Sequence, residues 1–188
     1  NRHFVAAAGA TARLLPASAE ARFQLDADSV RAHWNAHTRG VLLASPSNPT
    51  GTSIARAEMA AIAETVRAHG GVTLVDEIYL GLSYDEAFGH SALEHGDDIV
   101  SINSFSKYFS MTGWRVGWIV APPEIGQVIE NLIHYSTSGV PQFLQQGAIV
   151  ALDEGDAFVQ ANIDKAARNR DVFCDALIAT NRVETLKP

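Results

Sequence analysis

Three short apolar runs constrain the fold of this chain more than anything else in it: Gly40–Ala44, Val72–Val75 and Ile99–Ile102. Each is rich in Val, Leu and Ile, and each gives way at its carboxyl end to polar, turn-forming residues. Between the first two lies a helix-length stretch, Ile54–His69, with Met59, Ile62, Ala63 and Val66 on one face and Gly70 and Gly71 as its stop. Continuous apolar runs separated by an amphipathic helix are the pattern of parallel strands covered by helices. A fourth run, Val116–Val120, closes at Ala121, Pro122 and Pro123. The pattern predicts an α/β fold, with three α/β/α layers around a mostly parallel sheet.

The remaining stretches fill in around that frame. His3–Ala8 and Ala12–Pro16 are short strand candidates separated by a turn at Gly9. Asp28–His37 reads as a helix with Asp26 or Asp28 as its N-cap, and Val30, Trp34 and Ala36 forming a partial apolar face. His33 and His37 stand one helical turn apart, but no third ligand lies near, so the spacing reads as helix rather than metal site. Past the fourth run, Glu124–His134, Gln142–Leu152 and Asp156–Ala179 are predicted helices, with a loop over Tyr135–Pro141. The last helix is long, and Phe158, Ile163, Ala166, Val172 and Leu177 give it an apolar stripe.

In open α/β sheets, ligands bind beyond the carboxyl ends of the strands, and the chemically capable residues gather there. The first run ends in Ser45-Pro-Ser-Asn-Pro-Thr-Gly-Thr52, where two prolines and a glycine forbid strand and helix and leave a rigid loop carrying Asn48. The Asn48–Pro49 bond is a candidate for the cis form. The second run ends in Asp76-Glu-Ile-Tyr79, and the third in Ser104-Phe-Ser-Lys107.

Lys107 is unusual for its surroundings. Phe105, Tyr108, Phe109 and Met111 make an apolar neighbourhood, in which desolvation favours the neutral, nucleophilic amine. Ser104, Ser106 and Arg115 can gather an anion such as a phosphate beside that amine. A nucleophilic lysine next to a phosphate pocket is the requirement of pyridoxal phosphate chemistry. Taken singly, the residues have plainer readings. Asp76 can be an N-cap, Asn48 a turn residue, Tyr79 a core aromatic and Arg115 a surface ion-pair partner.

Composition excludes several classes. The 188 residues carry a net charge of −7 with 47% apolar and 19% charged residues, an ordinary globular balance. An acidic chain without clustered Lys/Arg is poorly suited to nucleic acid or an anionic membrane, and no apolar run reaches membrane-spanning length. Cys174 is the only cysteine, which rules out an internal disulfide and a cysteine metal cluster and suits a reducing, cytoplasmic setting. The opening at Asn1 and the close at Val183–Pro188 read as a piece cut from a longer protein.

The Ser45–Gly51 loop, Asp76–Tyr79, Ser104–Lys107 and Arg115, in that order and spacing, resemble the class I/II aminotransferases, pyridoxal 5′-phosphate enzymes of fold type I. Each piece alone is weak; together they are specific, and the resemblance runs from about Phe4 to the long helix. It implies Lys107 as the catalytic amine bonded to the cofactor and Asp76 as partner of the pyridine nitrogen. It further implies Tyr79 and Asn48 on the ring oxygen O3′, with Ser104, Ser106 and Arg115 on the phosphate. Residues 1–152 then form the central part of the cofactor-binding large domain, and 153–188 the connecting helix toward a small domain. The family's preceding phosphate turn, its ring-stacking aromatic and its carboxylate-binding arginine have no counterpart here.

The implied activity is amino-group transfer between an amino acid and a 2-oxo acid. A homodimer is also implied, with the Ser136–Gln142 loop facing the partner. The absence of arginine between Arg115 and Arg168 disfavours the distal-carboxylate device of aspartate-type relatives and leaves an apolar or small amino donor. The alternatives are a fold-type-I lyase or decarboxylase using the same lysine, and a non-catalytic dimerisation module.

Overall fold

The computed structural model describes residues 2–84 and 89–188. Four strands form one sheet in the order β1 (Gly40–Ala44), β2 (Val72–Asp76), β3 (Ile99–Ser104) and β4 (Gly117–Val120). The first three are parallel, and β4 runs antiparallel to β3. The α/β class and the mostly parallel sheet therefore stand as the apolar runs predict. The strand ends are level: Ala44 pairs with Asp76, and Asp76 with Ile102.

Two helices cover one face of the sheet. Helix α2 (Ala27–His33) starts at Asp26, whose carboxylate accepts the Ser29 N–H at 2.6 Å, an N-cap that satisfies one of the unpaired first-turn donors. Helix α3 (Arg56–Ala68) buries Met59, Ile62, Ala63, Thr65 and Val66, and Glu58 in its first turn accepts the Ala27 N–H at 2.6 Å. These helices close over Leu43, Val75 and Ile99 to make the main core, which also takes in Ile54 and Ala92. At its far end α3 stops at Gly70, in a left-handed conformation with φ 67°, and Gly71 N–H returns to the Val66 carbonyl at 3.0 Å. Arg67 then ties α3 to the loop entering β3, its guanidinium bonding Asp98 at 2.7 and 2.8 Å and the His95 carbonyl at 3.1 Å. The sheet's opposite face exposes Leu42 and Ile119, at 43% and 45%.

The rest of the chain is helical. A short helix α1 (Arg2–Ala7) opens the described chain, and α4 (Phe105–Tyr108) caps β3. Helices α5 (Pro123–Ser136), α6 (Gln142–Glu154) and α7 (Asp156–Ala179) follow β4. A second small core joins Phe105, Val116 and Ala148 of α6. Trp114 lies so close to Gly147 that a Cβ there would sit 2.2 Å from its ring, which makes glycine a packing requirement.

Two expectations are corrected. His3–Ala8 is helical over Arg2–Ala7 and Ala12–Pro16 has no regular structure. A strand needs a neighbour to satisfy its backbone, and this segment joins no sheet, so the alanine-rich run takes the conformation that satisfies itself locally. The helix expected over Asp28–His37 stops at His33. Asn35 and Thr38 end it, with Asn35 N–H bonding Thr38 Oγ1 at 3.1 Å and His37 N–H bonding Asn35 Oδ1 at 2.9 Å, a local alternative to helical pairing.

Ile62 has 0% of its surface exposed, so Ile62→Ala should cost about 2–5 kcal/mol in urea unfolding. Glu64→Ala, on the exposed side of the same helix, should change stability by less than about 0.5 kcal/mol; equal effects would show that the α3–sheet interface is misplaced.

Candidate functional site

The level strand ends set three loops side by side. Ser45 N–H bonds the Asp76 carbonyl at 3.1 Å and Glu77 N–H the Ile102 carbonyl at 2.8 Å, so the ladder runs on into the loops themselves. The loop after β1 is tied down by its own hydrogen bonds. Both Ser45–Pro46 and Asn48–Pro49 are cis, Ser45 Oγ accepts the Ile54 N–H at 3.0 Å, and Ser47 N–H reaches the Thr52 carbonyl at 2.9 Å. This positions Asn48, whose amide donates to the Tyr79 hydroxyl at 3.3 Å. The two residues are 31 positions apart in sequence and meet only because β1 and β2 pair in parallel.

Asp76 is the last residue of β2. Its carboxylate accepts the Ile78 N–H at 3.1 Å, an Asx turn that bends the chain toward Tyr79. Strand alternation sends Asp76 to the opposite face from Thr73 and Val75, away from the α2–α3 core. Tyr79 in turn carries Lys107, whose Nζ stands 5.6 Å from the centre of the phenol ring, within cation–π range. Asn48, Tyr79 and Lys107 are thus one cluster, anchored on the turn that holds Asp76.

Lys107 belongs to the single turn of α4, and Ser104 organises that turn. Ser104 Oγ accepts the Ser106 N–H at 3.1 Å as N-cap, donates to the Val116 carbonyl at 2.8 Å, and lies 2.9 Å from Ser106 Oγ. Phe105 is buried and stacks on Phe109 at 5.3 Å between ring centres, while Tyr108 meets Phe109 edge-on at 4.8 Å. Lys107 is half-buried. Gly81, with φ 85°, lies directly under Tyr108, and a Cβ there would sit 2.5 Å from the ring.

Arg115 is placed differently. It is exposed, in a left-handed conformation with φ 53°, and its Nη1 donates to the Thr112 carbonyl at 3.0 Å. That bond occupies one of five guanidinium donors and leaves the others for an anion.

One residue escaped the sequence analysis: Glu77. It is 2% exposed and accepts hydrogen bonds from Ser91, Ala92 and Ser101. The signal was present in the period-two pattern, since Thr73, Val75 and Glu77 share the inward face.

In donor chemistry the cluster offers a primary amine, a carboxylate, an amide–phenol pair and, at the turn of Lys107, two adjacent hydroxyls. It can bond an aldehyde, hold a cationic ring nitrogen, donate to a phenolate oxygen and take a phosphate.

A family model described as Aminotransferase class I and II matches residues 2–188. An arginine–pyruvate transaminase of Pseudomonas aeruginosa is 35% identical over 184 residues, covering 97% of this chain and 47% of that protein. A valine–pyruvate aminotransferase of Mycobacterium tuberculosis is 36% identical over 178 residues, covering 94% and 46%. The crystal structure of an aminotransferase from Mycobacterium tuberculosis superposes with a TM-score of 0.92 at 35% identity, over 100% of this chain and 48% of that one. The chain spans about half the length of the curated relatives it matches.

Ser104→Ala removes both the α4 cap and the bond to Val116, and should lower stability by about 1–2 kcal/mol in urea unfolding. Ser104→Thr, which keeps the hydroxyl, should recover most of it; an alanine variant as stable as the parent would show that α4 stands without its cap.

Proposed function

Because the chain belongs to the class I and II aminotransferase family, we propose that the protein it represents transfers an amino group between an amino acid and a 2-oxo acid with pyridoxal 5′-phosphate as cofactor. The observation that carries this reading is the convergence of Lys107, Tyr79 and Asn48 beside the turn that holds Asp76. When bound, pyridoxal phosphate supplies the electron sink that stabilises negative charge at the substrate Cα. Lys107 Nζ would hold the cofactor covalently and, as a free amine, would take the substrate Cα proton. Asp76 keeps the pyridine nitrogen protonated, a task for a carboxylate because a neutral partner would not hold the positive charge. Tyr79 and Asn48 would donate to the ring oxygen, and Ser104, Ser106 and Arg115 would hold the phosphate, Ser104 by turning its hydroxyl from the Val116 carbonyl.

Relatives named for arginine–pyruvate and valine–pyruvate exchange support pyruvate as the 2-oxo acid. With no arginine between Arg115 and Arg168, the amino donor is one without a distal carboxylate. Residues 1–152 form the central part of the cofactor domain, and 153–188, helical over Asp156–Ala179, lead toward a second, smaller domain. In support of this, α7 buries only Val159 and Cys174 along its 24 residues. A homodimer accounts for the apolar side chains exposed around the Ser136–Gln142 loop, among them Tyr135 at 93% and Phe143 at 72%. Among the described residues no helix is long and apolar enough to cross a membrane, and we place the protein in the cytoplasm.

Borohydride reduction in the presence of pyridoxal phosphate should label the peptide carrying Lys107. Lys107→Ala should abolish that label and lower transamination by the parent protein at least about 10³-fold. Full activity in Lys107→Ala would end the transaminase mechanism. Release of pyruvate and ammonia from a cysteine conjugate would replace it with β-elimination.

A further inference from the structure

We propose that Glu77 is a positioning residue: from the opposite face of the sheet, it locks the turn that aims Asp76 and Tyr79 into the site. The proposal rests on the cofactor reading of that site.

Asp76 and Glu77 are adjacent carboxylates with opposite fates. Alternation along β2 directs Thr73, Val75 and Glu77 toward the α2–α3 side, and Asp76 toward the other. Glu77 is 2% exposed, and a carboxylate so placed is costly unless its oxygens are hydrogen-bonded. The acceptor sites are well used. Oε2 receives Ser101 Oγ at 2.5 Å and Ser91 Oγ at 2.9 Å, while Oε1 receives Ala92 N–H at 2.6 Å, with Ser91 Oγ at 3.2 Å.

These donors come from separate parts of the chain. Ser101 lies in β3, and Ser91 caps the 3₁₀ turn Ala92–His95, its Oγ accepting the Leu93 N–H at 3.2 Å. Glu77 is therefore a three-way staple joining the end of β2, the middle of β3 and the segment returning to it. Its two oxygens receive donors from three separate residues, so the staple fixes orientation as well as position. An apolar side chain could fill the same space but would not fix the turn in this way.

The link to the site is immediate. The Glu77 carbonyl accepts the Leu80 N–H at 2.8 Å, and Ile78 N–H, one residue on, holds the Asp76 carboxylate at 3.1 Å. The Asp76 side chain is aimed by a turn whose first residue is Glu77. Tyr79, on which Asn48 and Lys107 converge, sits within the same turn. Loosening the staple moves Asp76 and Tyr79 together, leaving their own chemistry intact.

The test compares Glu77→Ala, Glu77→Gln and Ser101→Ala. Without cofactor, amide exchange at Ile78 and Leu80 should accelerate at least about tenfold in Glu77→Ala, while Ile62 in α3 stays protected. With cofactor, affinity for pyridoxal phosphate should fall at least about tenfold, and the visible circular dichroism of the bound cofactor should change. Global destabilisation alone would not produce that spectral change well below the melting temperature. Glu77→Gln retains an acceptor for Ala92 and allows the Ser101 hydroxyl to turn and accept, so it should restore both readouts close to wild type. If Glu77→Ala does not fold, Ser101→Ala carries the test and should show smaller changes of the same sign. Unchanged exchange at Ile78 and Leu80, or unchanged affinity and circular dichroism in a folded variant, overturns the proposal. A wild-type parent protein that binds no pyridoxal phosphate sinks the cofactor reading instead, and the exchange measurement then decides whether Glu77 locks the turn.

Discussion

The parallel ladder joining β1, β2 and β3 is the constraint on which the rest depends. Its register brings Ala44, Asp76 and Ile102 level, and backbone bonds from Ser45 and Glu77 extend it past the strands into the loops. A slip of one residue in β2 would exchange Asp76 and Glu77 between the faces of the sheet. Each face would then present a carboxylate of the wrong length and position, Glu77 toward the site and Asp76 toward Ser91, Ala92 and Ser101.

That ladder has two different sides. On one, α2 and α3 bury Val30, Met59, Ile62 and Val66 against Leu43, Val75 and Ile99, and this apolar burial supplies most of the folding free energy. On the other lies Asp76, beside loops that carry Asn48 and Lys107. Polar groups are placed where the apolar core does not have to desolvate them, and the core holds them rigidly from behind. Glu77 is a carboxylate on the dry side, tolerated because its oxygens are hydrogen-bonded.

Much of this was legible in the residues. The long helix runs over Asp156–Ala179 as its composition indicates, and the three parallel strands fall on their apolar runs. Errors arose where local preference had no tertiary partner to settle it. The first residues could read as strand or helix until the absence of a neighbouring strand decided for helix. The helix through Trp34 looked longer than it is because the Asn35–Thr38 side-chain bonds compete with helical pairing and leave little trace in apolar periodicity. Glu77 was overlooked because its neighbour offered the more obvious chemistry.

Sequence alone determined which residues could act: the order Asn48, Asp76, Tyr79, Lys107 at the ends of apolar runs, and the stops imposed by proline and glycine. These are local properties, set by steric preference and by periodicity within a few residues. Only the tertiary structure decided which of them meet. The Asn48–Tyr79 hydrogen bond spans 31 residues, and Lys107 Nζ meets the Tyr79 ring from the end of a different strand. Each of those distances is the sum of strand register, helix packing and loop geometry over the intervening chain. No single segment encodes that sum; it is set when the apolar faces of β1, β2 and β3 are buried together beneath α2 and α3.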